Sequence, residues 1–256
     1  MKNSEKMYHI NLSVSDIKGA KYAILPGDPG RVGSIAKYLE NPKKISQNRE
    51  YTAYLGNIGK EKVLVISTGM GGPSTAICVE ELAMIGITHL IRIGTSGGMQ
   101  LNVSAGDLVI AQAAIRQEGT SKDYLPIEFP AVADIDIVNA LREAAKELKF
   151  IYHTGIVQCK DSFYGQHSPE RMPVSYELEN KWNAWIKGGA LCSEMETSAL
   201  FTVASTLRLY AGAILLVVWN QEREKLGLSQ DECFDTDRAI KVVIKAIAKL
   251  IKKNKE

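Results

Sequence analysis

Short runs of apolar residues alternate along the chain with stretches in which apolar positions recur at helical spacing. The runs at 22–25, 63–66 and 213–218 predict strands, the last fully apolar, as in a sheet covered on both faces. Residues 48–54, 89–93, 106–110 and 151–159 read as further strands. A helix is predicted after Asp28, a good N-cap, with Pro29 as its first residue and Ile35, Ala36 and Leu39 along it. Others follow Pro73, with Ile77, Leu82 and Met84, and cover 135–148 and 176–187. Ser193 reads as a helix cap with Glu194 and Glu196 in the first turn. The last helix carries Ile240, Val243, Ile244, Ile247, Leu250 and Ile251 on one stripe, and lysines 241, 245, 249, 252, 253 and 255 read as a solvated face and basic end. Residues 161–175, with Gly165, Pro169 and Pro173, lack periodicity and read as a loop long enough to carry function. Strands alternating with helices imply an α/β sandwich, and no internal boundary divides residues 1–256.

Composition narrows the partners. A net charge of +2 offers no basic surface for nucleic acid. Cys78, Cys159, Cys192 and Cys233 are scattered without a CxxC pair, which argues against a zinc cluster and fits reduced thiols. No secretory or membrane-spanning segment is read, so a cytoplasmic protein is expected.

The chemistry concentrates in glycine-rich turns. Residues 67–82 begin Ser67-Thr-Gly-Met-Gly-Gly-Pro-Ser and join a predicted strand to a predicted helix, where exposed amides attract anions. Alone, that stretch is equally a plain strand-to-helix turn. Arg31 falls in the first turn of its helix, where the dipole favours an acid; it is either a surface residue or one that meets an anion. Arg92, between Ile91 and Ile93, needs a partner, because an unpaired buried charge is very unfavourable. No Gly-x-Gly-x-x-Gly follows the first strand and no Gly-Lys-Ser/Thr ends a glycine loop, so dinucleotide and P-loop readings are weak. Trp182 and Trp185 read as core packing.

Residues 67–82 closely resemble the signature of the nucleoside phosphorylase family. Pro26-Gly-Asp-Pro-Gly-Arg31, Arg92-Ile-Gly-Thr95, Phe163-Tyr-Gly-Gln166 and Glu194-Met-Glu196 follow in that family's order, over nearly the whole chain. The resemblance implies an α/β/α three-layer sandwich with a mixed, partly barrel-like sheet. Its Phe163–Gln166 loop points to the pyrimidine branch, and so to reversible phosphorolysis of uridine and deoxyuridine to uracil and (deoxy)ribose 1-phosphate. Inorganic phosphate is then a co-substrate, and no cofactor is implied beyond a possible potassium ion. A homohexamer built as a trimer of dimers, with active sites shared between subunits, is also implied.

Residue by residue, the resemblance places phosphate at Gly27, Arg31, Arg49, Arg92 and Thr95, with Arg49 reaching in from a neighbouring subunit. Ribose falls to Glu196, Met195 and Glu194, with His9 of an adjacent subunit near the 5′-hydroxyl, and a monovalent cation to Glu50, Met70 and Ser74. Phe163 stacks on the base and Gln166 binds its amide edge. Here the chain departs from the pattern, since Ser168 and Gln221 stand where base-pocket arginines are expected. His167, Lys160 and Arg171 are the nearby replacements, with His167 the favoured proton donor. Asn220 stands where the purine branch has an aspartate, which counts against purines. The arginines count against a hydrolytic nucleosidase. A purine or broad-specificity phosphorylase and a non-catalytic nucleoside-binding homologue stay open.

Overall fold

The computed structural model describes residues 4–229 and 231–254, and Lys255 lies outside them. In chain order the elements are β1 Tyr22–Pro26, α1 Pro29–Ala36, β2 Glu40–Asn48, β3 Tyr51–Ile58, β4 Glu61–Ile66, α2 Gly72–Met84, β5 His89–Gly98 and β6 Leu108–Arg116. There follow α3 Thr120–Tyr124, β7 Ala131–Val132, α4 Ile135–Glu147, β8 Tyr152–Cys159, α5 Phe163–His167, a 3₁₀ turn Pro169–Arg171 and α6 Ser175–Lys187. The chain ends through β9 Cys192–Glu194, α7 Thr197–Thr206, β10 Tyr210–Asn220, α8 Gln221–Lys225 and α9 Asp237–Lys253.

One mixed sheet runs β10-β6-β8-β9-β5-β1-β4-β3-β2, and β10 also pairs with β5. That second pairing closes β5, β10, β6, β8 and β9 into a ring, with β1, β4, β3 and β2 continuing as an open wing. Side chains alternate between the two faces, as the two-residue period of a strand requires. Ile24, Ile214 and Leu216 pack with α1, α4 and α9, and Leu25, Leu215 and Val217 with α2 and α7. Both faces are therefore covered, as the sandwich predicts, and the barrel-like part is the ring.

Several boundaries differ from the sequence reading. Residues 48–54 are not one strand: Arg49, at φ 51, and Glu50 turn the chain from β2 into β3. Strand β2 is missed by pattern because its positions 40–44 are all exposed. The loop at 161–175 contains α5, capped by the Ser162 hydroxyl, which accepts from the Gly165 amide at 3.0 Å. The helix expected from Ser193 starts at Thr197, and 192–194 instead form β9. The lysines of α9 are not merely solvated, since Lys245 and Lys249 both pair with Glu147 of α4 and Lys253 with Asp136. All four cysteines are free. Among the described residues no helix is long and apolar enough to cross a membrane.

Candidate active site

Three parallel strands, β1, β5 and β10, end side by side, and the ligand-facing groups gather there. Arg92 lies opposite Leu25 of β1 and Ala213 of β10. Its neighbours Ile91 and Ile93 pack on the α4/α9 face, so its own side chain projects to the other face. There its Nε donates to Glu194 Oε2 at 3.1 Å and its Nη2 donates to Glu196. Nη1 is buried with no acceptor among the described residues. Gly94 makes the room, because a Cβ at that position would fall 2.7 Å from Arg92 Nη2.

Glu194 and Glu196 have different duties. Glu194 accepts from the amides of Glu196 at 2.9 Å and Thr197 at 3.0 Å, so it seats the start of α7 as well as Arg92. Those bonds leave it little capacity for a sugar. Glu196 accepts at Oε1 from the Gly71 amide at 2.7 Å, which joins the glycine turn of residues 67–82 to the carboxylate pair. Burial pushes the Glu196 carboxyl up against the opposing pull of Arg92.

A cleft of about 600 Å³ opens beside this cluster. Gly27, Arg31, Arg92, Thr95, Met195, Glu196, Phe163, Lys160 and His167, all singled out from the sequence, line it together. Arg31 stands in the first turn of α1, where Asp28 caps the Gly30 amide at 2.7 Å. Its Nε is 3.6 Å from Asp28, but Nη1 is buried with no partner among the described residues. The cleft is thus lined by two guanidinium groups that each hold one unsatisfied nitrogen.

Other expected residues lie elsewhere on this chain. Arg49 is exposed at the β2–β3 turn, 5.6 Å from the Tyr8 ring centroid, and does not line the cleft. His9 is bonded through Nδ1 to Glu81 at 2.7 Å, and it too lies outside. Ser74 donates to Glu50 Oε1 at 2.8 Å, beneath Gly69, whose φ of +73 brings backbone where a Cβ would lie 2.7 Å from Glu50 Cγ. Glu50 and Met70 line the cleft rim, and a hydrogen bond to its own backbone holds the Glu50 carboxyl below the usual range.

A second chamber of about 690 Å³ adjoins the cleft and holds Gln166, which the resemblance assigns to the base; Lys160, His167 and Trp219 line both spaces. Gln166 and Gln221 open onto this chamber, and Gln221 Oε1 is buried without a partner. The Phe163 and His167 rings pack against each other with centroids 4.3 Å apart and planes tilted by 36°. Burial first, and then the charge of Lys160, lower the His167 pKa from its ordinary value, so the ring is mainly neutral at pH 7 and a weaker acid source than its sequence position suggests. Arg171 lines neither space; it lies 6.0 Å from the Tyr164 ring.

Asn220 is buried and structural. Its Nδ2 donates to the carbonyls of Gln100 and Val103, both at 2.8 Å, and its Oδ1 caps α8 at Glu222 and Arg223. Sequence reasoning missed Ser193, Gln158 and Gln117, which share a hydrogen-bonded line behind Gln166, and Phe234, which reaches the cleft from the segment after α8. Ser193 looked like a cap; the short extended run before Glu194 was its only signal.

The phosphorylase superfamily model matches residues 21–252. The chain belongs to that superfamily. Uridine phosphorylase of Treponema pallidum is 52% identical over 244 residues, covering 95% of this chain and 94% of the relative. Uridine phosphorylase of Haemophilus influenzae is 38% identical, covering 96% and 98%. Guanosine phosphorylase of Halorubrum lacusprofundi is 35% identical over 252 residues, covering 96% and 99%. This superfamily member therefore has relatives named for a pyrimidine and for a purine nucleoside.

Proposed function

We propose that the chain is a pentosyltransferase that carries out reversible phosphorolysis of uridine, giving uracil and ribose 1-phosphate, with deoxyuridine as a second substrate. The observation that carries the reading is the pair of buried, unpartnered nitrogens, Arg31 Nη1 and Arg92 Nη1, in one cleft with Thr95. Buried cationic donors left without acceptors are strongly unfavourable, and a phosphate dianion satisfies both with charge-assisted bonds. The relatives named uridine phosphorylase, at 52% and 38% identity, support the pyrimidine.

In this reading phosphate lies beneath the anomeric carbon and offsets the oxocarbenium character that develops as the glycosidic bond breaks. Glu196 accepts from ribose hydroxyls and Met195 packs on the sugar. Phe163 stacks on uracil, while Gln166 and Gln221 meet its polar edge. His167 contributes chiefly as a neutral imidazole near pH 7. The protein works by positioning and electrostatics, with no covalent nucleophile.

Arg49 and His9 lie outside their own chain's cleft, which supports their delivery from neighbouring copies and hence a homohexamer of three dimers. Glu50 and Ser74 present oxygen donors suited to a monovalent cation such as potassium, whereas the Met70 thioether is too soft to be a good ligand. The four free cysteines support a reducing compartment, the cytoplasm.

The guanosine phosphorylase relative keeps a purine reading in view. Release of free base from uridine, deoxyuridine, thymidine, inosine and guanosine, with and without phosphate, separates the two. Uridine cleaved only with phosphate is the expected result. Cleavage without phosphate would sink phosphorolysis, and a preference for guanosine or inosine would sink the pyrimidine assignment.

A further inference from the structure

The base chamber contains no arginine. Besides Lys160, the lysines lining it are Lys181, paired with Glu177, and Lys225, 2.8 Å from Glu222. Lys160 differs from both. It is buried, it lines the cleft and the chamber alike, and no carboxylate lies within ion-pair distance of its ammonium among the described residues. Its Nζ donates to Ser193 Oγ at 2.6 Å, which leaves two N–H donors with no acceptor among the described residues.

Ser193 is in turn 2.7 Å from Gln166 Oε1 and also bonds Gln158. Gln158 Nε2 donates to Gln117 Oε1 at 2.6 Å, and Trp185 Nε1 donates to the same oxygen at 3.1 Å. Ser193 has one proton, and Gln158 takes it at Oε1 because its Nε2 is committed to Gln117, so the Gln166 amide group meets the Ser193 oxygen without claiming that proton. A buried ammonium held by one neutral hydroxyl is a poor arrangement for stability alone. Arg92 bonds both Glu194 and Glu196 directly but brings one positive charge against two negative ones, so Lys160 also balances the remainder from a distance, without a direct ion pair.

We propose that Lys160 is the cation that holds the pyrimidine as it departs, and that Ser193 couples it to Gln166 so that ammonium and amide approach the base together. The assignment rests on the phosphorolysis reading above. As a phosphate oxygen bonds to C1′, the C1′–N1 bond breaks and its electron pair stays on the base. Uracil leaves as an anion whose charge spreads over N1, O2 and O4, stabilised by Lys160 and protonated after release. Lys160 thus takes the place of the arginines that Ser168 and Gln221 displace. Burial lowers the lysine's pKa, opposed by Glu194 and Glu196, which brings loss of its charge closer to neutral pH.

The test uses the full-length protein and its K160M, K160R and S193A variants, with phosphorolysis of uridine and 5-fluorouridine followed across pH. Uracil is the poorer leaving group, so K160M should lose on the order of 10²-fold in kcat on uridine and distinctly less on 5-fluorouridine. K160R should recover much of the rate and move the alkaline limb to higher pH, because arginine does not titrate there. S193A should raise KM for uridine more than it lowers kcat. Equal losses on both nucleosides, or an alkaline limb unmoved in K160R, would show that Lys160 merely balances charge. If K160M does not fold, K160R and S193A still decide the matter. Wild-type protein inert towards uridine and phosphate would refute the underlying reading, whereas active wild type with an undiminished K160M would refute only this assignment.

Discussion

The Gly71 amide donates to Glu196 Oε1 at 2.7 Å, tying the glycine turn to the carboxylate proposed to hold ribose across 125 residues of sequence. Glu196 thus serves the turn and Arg92 before any sugar arrives. Replacing it with glutamine keeps the shape and removes a charge whose burial is unfavourable. Because both oxygens accept, from Gly71 and from Arg92, E196Q leaves one buried donor without an acceptor and should lose about 1–3 kcal/mol of stability as well as about 10- to 150-fold in kcat/KM. Parallel urea unfolding and uridine kinetics check it, and full activity would remove Glu196 from the sugar.

Arg31 and Arg92 should part company on mutation. Arg31 is half-buried with a loose acidic neighbour, so R31A should raise the phosphate KM by about tenfold or more with a stability change near zero. R92A leaves Glu194 and Glu196 buried without their cation and should lower stability by about 3–5 kcal/mol as well as activity. Phosphate titrations beside denaturant curves separate the two effects. An R92A protein as stable as wild type would contradict the pairing described.

Asn220→Asp tests whether that position can serve a purine. Aspartate keeps the acceptor that caps α8 but loses both donors to the Gln100 and Val103 carbonyls. The variant should be less stable by about 2–4 kcal/mol, read from urea midpoints, and gain no inosine cleavage.

His89 predicts a stability slope with pH. Its ring lies between Tyr22 and Tyr210, with centroids 4.6 and 4.7 Å away, and burial lowers its pKa below the ordinary 6.5. The native ring resists a proton that the unfolded chain accepts. Its contribution is therefore complete above 6.5 and lost as pH falls through that value towards the folded pKa. His167 acts in the same direction. H89Q should flatten the slope between about pH 7 and 5.5 without abolishing it.

The buried strands and the amphipathic helices were legible because burial on one or two faces writes a period into the chain. Arg92 was legible for the opposite reason, as a charge breaking an apolar run. Strand β2 was not legible, because its first five positions are all exposed and only pairing with β3 makes it a strand. Ring closure was also invisible, since it depends on β5 finding β10 across more than a hundred residues. The cap reading of Ser193 failed on tertiary grounds: pairing with β5 and β8 holds 192–194 extended, and Glu194 caps the helix instead. The base end was legible only in part. Phe163, Gln166 and His167 are contiguous in sequence, whereas the line from Lys160 through Ser193 to Gln117 is drawn by the fold.

Closing the ring leaves the sheet one long open margin, along β2. That margin carries Pro42, Lys43 and Lys44 in its exposed half, and its register with β3 slips twice. Proline, lysine and irregular register each discourage a foreign strand from adding on. Copies of this chain are thereby steered away from joining sheet to sheet. Any assembly they form must be made through side-chain surfaces, whose geometry can be closed and finite where strand addition has no natural stopping point.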